Sequence, residues 1–75
     1  MTHLNNITGF SWVTVGNNKE NYGKACIMKE AFWLRDCKQL NDGTWTAFID
    51  NYLLETRHGL RFGMKVSFKT EPARR

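Results

Sequence analysis

The chain has 75 residues, a net charge of +4 and a mean hydropathy of −0.53. A single domain over 1–75 is expected, and so short a chain hides only about 60% of the surface that its unfolded form exposes. That leaves room for one layer of core. It leaves none for a core plus a ligand cavity of about several hundred Å3, so no enzyme is expected. No run approaches the ~20 apolar residues of a membrane span, so no membrane partner is expected either.

In chain order, Met1 to Gly9 reads as a loose lead-in: Asn5 and Asn6 are turn formers, and only Leu4 and Ile7 offer anchors. Phe10 to Val15, FSWVTV, is β-branched and aromatic and reads as a strand. Gly16 to Gly23 reads as a polar loop with a glycine at each end. It lacks the Gly-Lys-Ser/Thr ending that cradles phosphates.

Ala25 to Leu40 carries two patterns. Ile27, Ala31 and Leu34 fit a helical face, whereas Cys26, Met28, Phe32 and Leu34 fit one face of a strand interrupted by Glu30. The Asn41-Asp42-Gly43 that follows favours the strand, because Asp-Gly is a strong hairpin signal through a type I′ turn. Thr44 to Leu54 is also double. Trp45, Phe48, Ile49, Tyr52 and Leu53 match an amphipathic helix that Gly59 would stop. Against the helix, TWTAFI suits a pleated surface, and Asn51 would sit mid-helix and compete for backbone hydrogen bonds. Met64, Val66 and Phe68 alternate with Lys65, Ser67 and Lys69, the pattern of a strand apolar inside and basic outside. The tail from Thr70 to Arg75 reads as frayed.

The expected fold is therefore mainly β: a small antiparallel sheet or SH3-like partial barrel with at most one short helix, and loose ends at about 1–9 and 70–75. Its strands are expected near Phe10–Val15, Phe32–Leu40, Thr44–Asn51 and Met64–Lys69. The alternative is α+β with a helix at about 44–58. The expected core is Trp12, Val13, Phe32, Leu34, Phe48, Ile49, Leu60, Val66 and Phe68.

Residues Lys29 to Lys69 carry a resemblance. Phe32-Trp33, Gly43, Asp50-Asn51 and the closing Leu60-x-x-Gly63-x-x-Val66-x-Phe68 resemble the small uncharacterised YegJ-like bacterial domains. The resemblance implies a mostly β, SH3-like sheet and no known activity. The chain departs from that pattern at its end, where the basic TEPARR stands in place of an acidic-aromatic tail.

The charge is lopsided. Residues 1–50 hold five basic and five acidic side chains, whereas residues 51–75 hold six basic and two acidic ones. Such asymmetry favours a polyanion or an acidic protein face. Trp45, Tyr52, Arg57, Arg61, Lys65 and Lys69 interleave aromatic rings with cations and are expected to line one sheet face. The expected function is a non-enzymatic binding module that recruits or blocks a macromolecular partner, an acidic protein surface. By analogy from size, inhibitors and other accessory proteins of phages or mobile elements are of this kind. The alternative is a small β-barrel that binds nucleic acid, stacking bases on rings and tracking phosphates with cations.

No cofactor is expected. His3, Cys26, Cys37 and His58 match no zinc spacing. Cys37, His58 and Asp50 can be written as a nucleophilic trio, but nothing in their spacing supports one. The N-terminal MTHLNNITGF has neither a basic nor an apolar signal region, so a cytoplasmic, reduced setting with two free thiols is expected.

Overall fold

Alternation of apolar and polar side chains along most of the chain gives strands with one face to bury. The computed structural model describes residues 1–16 and 21–70. Its strands are β1 (Thr2–His3), β2 (Phe10–Val15), β3 (Gly23–Ile27), β4 (Glu30–Gln39), β5 (Trp45–Ile49) and β6 (Lys65–Phe68). They form one sheet in the order β1-β6-β5-β4-β3-β2. Every neighbouring pair is antiparallel except β1 with β6. The sheet curls into a half-barrel, consistent with the SH3-like partial barrel that the sequence predicts.

No helix forms at 44–58. Trp45 to Ile49 is a strand, and the one helical element among the described residues is a single 3-10 turn, Leu4–Asn6. Residues 17–20 of the polar loop expected at 16–23, and the tail beyond Thr70 with Pro72, lie outside the described residues.

Two turns differ from the expected ones. The β4–β5 turn is not type I′. Gly43 takes φ 90° and Asp42 does not turn positive, while Gly43 N–H donates to Leu40 O (3.0 Å) and Leu40 N–H to Thr44 O (2.7 Å). This is a three-residue turn closed by a glycine bulge, and Asp42 Oδ1 accepts the Thr44 N–H at 2.9 Å. The two-residue turn with both residues at positive φ lies earlier, at Met28 (51°) and Lys29 (67°), between paired Ile27 and Glu30. Neither residue favours that conformation, so the β3–β4 turn is strained.

The lead-in is not loose. Leu4 is fully buried. Thr2 and His3 pair with Val66 and Ser67. Asn5 clasps the end of β6 with both halves of its amide: Nδ2 donates to Lys69 O and Oδ1 accepts Lys69 N–H, each at 2.9 Å. The Leu4–Asn6 turn thereby packs against both β2 and β6, the two sides of the open barrel.

The core lies on the concave face. Val13, Phe32, Leu34, Ile49, Leu60, Val66 and Phe68 are buried as expected, joined by Leu4, Ala25, Ile27, Cys37 and Ala47. Two expected core residues are displaced for the same reason: neighbours along a strand face opposite sides. Val13 points inward, so Trp12 is 42% exposed. Ile49 points inward, so Phe48 lies on the outer face, half-buried beneath Arg35 and Lys65.

Two stability outcomes follow. Phe68→Ala removes a fully buried ring stacked on Trp45 and is expected to cost about 3–5 kcal/mol in chemical denaturation. Lys29→Gly relieves a left-handed non-glycine residue on the surface and is expected to raise stability by about 0.5–1 kcal/mol; an unchanged denaturation midpoint would show that the turn holds no strain.

Candidate functional site

The six aromatic and basic residues that the sequence groups together do not line one sheet face. The fold distributes them over three surfaces. Lys65 stands on the outer face, Tyr52, Arg57 and Arg61 lie in the long β5–β6 connection, and Trp45 and Lys69 border the mouth of the half-barrel.

The outer face is built by cross-strand register. Thr14, Lys24 and Trp33 sit opposite one another on β2, β3 and β4, and Arg35, Phe48 and Lys65 do so on β4, β5 and β6. Lys24 Nζ lies 4.7 Å from the Trp33 ring centre. Tyr22 meets that ring edge-on at 6.5 Å. The Arg35 guanidinium and Lys65 Nζ approach the Phe48 ring at 5.0 and 5.8 Å. Each such contact is worth about 0.5–1 kcal/mol at an exposed site. Arg35 also pairs with Asp36 (3.1 Å) and Asp50 (3.5 Å), which offsets part of this face's positive charge. Lys24, Trp33, Arg35 and Phe48 are the members that the sequence reading missed. The signal for two of them was present, since Phe32 and Leu34 pointing inward places Trp33 and Arg35 outward.

The connection from Asp50 to Met64 has no regular secondary structure and is nonetheless held at many points. Asn51 Oδ1 accepts the Trp33 N–H at 2.9 Å, and Asp50 N–H donates to Trp33 O. The Glu30 carboxylate accepts the N–H groups of Leu54 (2.8 Å) and Glu55 (2.9 Å). Glu55 in turn accepts the N–H groups of Thr56 and Arg57 and a two-pronged contact from the Arg57 guanidinium, at 2.9 and 2.7 Å. His58 Nδ1 accepts the Leu60 N–H at 3.0 Å, which leaves Nε2 to carry the proton; that atom is buried without a partner. Leu60 anchors the connection in the core.

Held in this way, the connection turns apolar side chains outward. Tyr52 is 81% exposed, Leu54 93% and Phe62 45%. The Tyr52 and Phe62 rings meet edge to face at 4.7 Å, above a shallow groove of about 540 Å3 that Arg61 also lines. Among the described residues Arg61 has no ion pair, whereas Arg57 is neutralised by Glu55.

The third surface is the barrel mouth. Trp45 stacks on Phe68 with the rings 6.3 Å apart and nearly parallel. Beside it runs a groove of about 640 Å3, bordered by the whole of β2, Asn5 and Lys69.

Burial, with a smaller contribution from the neighbouring Asp36 carboxylate, pushes the Cys37 thiol up to about 11, so it stays protonated at neutral pH and packs as a small hydrophobe. Neither cysteine is bridged. Among the described residues, no group of three or more His, Cys, Asp or Glu side chains could hold a metal ion, and no helix is long and apolar enough to cross a membrane. No family model matches the chain, and neither a curated protein nor a solved structure matches it.

The carboxylates that fix the connection have a pH signature. The Leu54 and Glu55 N–H groups lower the pKa of Glu30. The Arg57 side chain and N–H lower that of Glu55 to about 2. A depressed acid contributes stability above its unfolded value, here 4.5, and loses it as pH falls through the folded value. The connection is therefore expected to loosen as pH falls from 4.5 toward 2, with amide exchange at Leu54 and Glu55 accelerating ahead of the core strands. Glu30→Ala should produce the same local acceleration at neutral pH. Uniform exchange across the chain in that variant would show that Glu30 does not hold the connection.

Proposed function

We propose that this chain is a non-enzymatic binding module that recruits or blocks a macromolecular protein partner. The observation that carries the reading is the fixed, irregular connection at 50–64, which presents Tyr52, Leu54 and Phe62 beside Arg61. A segment this long without secondary structure is uncommon in a small domain unless it is functional. Its hydrogen bonds hold the aromatic pair in place before any partner arrives, so little ordering entropy remains to be lost on binding. Aromatic and arginine anchors are the residue types that dominate protein interfaces. The partner's complementary chemistry is an apolar pocket rimmed by carboxylates, facing the ring pair and Arg61. A reducing, cytoplasmic setting accords with two unbridged thiols.

One observation favours a second reading. The outer-face rings of Trp33 and Phe48 sit among Lys24, Arg35 and Lys65, an arrangement suited to stacking the bases of a single-stranded nucleic acid.

The two readings separate cleanly. Capture from the native host lysate, with and without nuclease, supplies the partner. For a protein partner, Tyr52→Ala and Phe62→Ala should each weaken binding about thirtyfold or more without lowering thermal stability, and Trp33→Ala should leave it unchanged. For nucleic acid, the pattern inverts, and affinity falls with salt at a log–log slope of about 0.7 per phosphate contacted. Binding that neither set of variants alters would remove both surfaces from the function.

A further inference from the structure

We propose that β2 is a docking edge that takes an extended, acidic segment of a partner polypeptide as an additional strand, seated in the mouth of the half-barrel. This surface shares no residue with the 50–64 connection and stands independently of the function proposed above.

Among the described residues, β2 pairs with β3 alone and ends the sheet. Its sequence, FSWVTV, has no charge and no proline, the usual devices by which an edge strand is kept from pairing. A bulge between Phe10 and Trp12 interrupts only its first residues. The register identifies the unpaired backbone groups. Gly16 N–H donates to Tyr22 O, and in the same register Thr14 sits opposite Lys24, so Thr14 shares its hydrogen bonds with β3. Alternation then turns the N–H and C=O of Val13 and Val15 away from β3, toward the groove.

Two further features give the groove a chemical preference. Trp45 lines it, and its indole Nε1 is buried without a hydrogen-bond partner, a donor that a backbone carbonyl of an added strand would satisfy once the ring turns toward the groove. Among the described residues, Lys69 is its one charged lining residue, and none of the lining side chains is a carboxylate. The occupant is thus a chain with backbone groups for Val13 and Val15, small apolar side chains for the groove, a carbonyl for Trp45 and a carboxylate for Lys69. A second copy of this chain fits less well, since each copy carries +4. Strand addition of this kind draws affinity from main-chain hydrogen bonds and specificity from alternate side chains.

The test uses the full chain and a library of short peptides that alternate valine or isoleucine with serine, threonine or glutamate. Nuclear magnetic resonance should show the best binder shifting the Trp45 indole N–H and protecting the Val13 and Val15 amides from exchange, with Trp33 and Tyr52 unmoved. N-methylation along one edge of that peptide should abolish binding, and methylation along the other edge should not. Trp45→Phe, which keeps the ring on Phe68, should weaken binding about two- to tenfold. Lys69→Glu should weaken the glutamate peptide and spare its glutamine counterpart. The proposal fails if no peptide binds at millimolar concentration, or if both methylated forms bind alike. It also fails if the same amides become protected without peptide as the chain's mass doubles with concentration, because a second copy is then the occupant.

Discussion

A single curled sheet has one apolar face, and with no helix to lie across it that face must be closed by the sheet's own curvature and by whatever the connections can insert. Every other feature of this chain answers to that constraint. Leu4 enters from the N-terminal turn and Leu60 from the β5–β6 connection, and both are as buried as the strand residues they meet. The segments that look least structured in composition are therefore fixed in place by the core. Asn5 shows how: lacking a strand partner at the end of β6, Lys69 finds both of its backbone bonds in one side-chain amide. The segment from Asp50 to Met64 is tied at its base by Asn51 and midway by Glu30. Its exposed rings are the outer surface of a plug.

What the sequence made legible, and what it concealed, follows from where the physics is local. The alternation from Met64 to Lys69 is a local pattern, and β6 lies within it. The β4–β5 hairpin was also legible, although Asp42-Gly43 builds a bulged turn in place of type I′. The strand β3 was concealed because its turn is made by Met28 and Lys29, residues that announce no turn. Without that break, Ala25 to Leu40 shows two overlapping periods and no boundary. The core residues Trp12 and Phe48 were misplaced because hydrophobicity was weighed above alternation; each has an inward neighbour that forces it out. The tight lead-in depends on contacts between Asn5 and Lys69, far apart in the chain, and no local pattern carries such information.

The same distinction explains the candidate site. A count of cations in the last third of the chain finds an asymmetry, but the fold disperses Arg57, Arg61, Lys65 and Lys69 among three surfaces. The residues that gather on the outer face come from four strands, brought together by register alone. Three of its four cations, Lys24, Arg35 and Lys38, belong to the first fifty residues, whose charges balance; Lys38 sits opposite Thr46. Net charge by segment was a guide to solubility and a poor guide to where a surface would form.

The β3–β4 pair gathers the strained backbone of the sheet. Among the described residues, four non-glycine residues take positive φ, Asn21, Met28, Lys29 and Asp36, and all of them lie within or beside these two strands. Met28 and Lys29 close the hairpin. Asn21 and Asp36 face each other at its far end, where Cys37 N–H donates to Asn21 O and the β4 register shifts. That shift returns the Cys37 side chain to the buried face of the sheet. Gly23 sits beside it, where a Cβ would come within 2.6 Å of Thr14 O, so β2 and β3 approach this closely only with glycine there. Among the described residues, the antiparallel ladders are thus interrupted at two places, this shift in β4 and the bulge between Phe10 and Trp12 in β2, and bulges raise local twist. β2 and β6 do not pair, and the Leu4–Asn6 turn packs against both. The groove between β2 and Lys69 thus runs along an uncharged strand edge and past the ring of Trp45, whose indole N–H is buried without a partner.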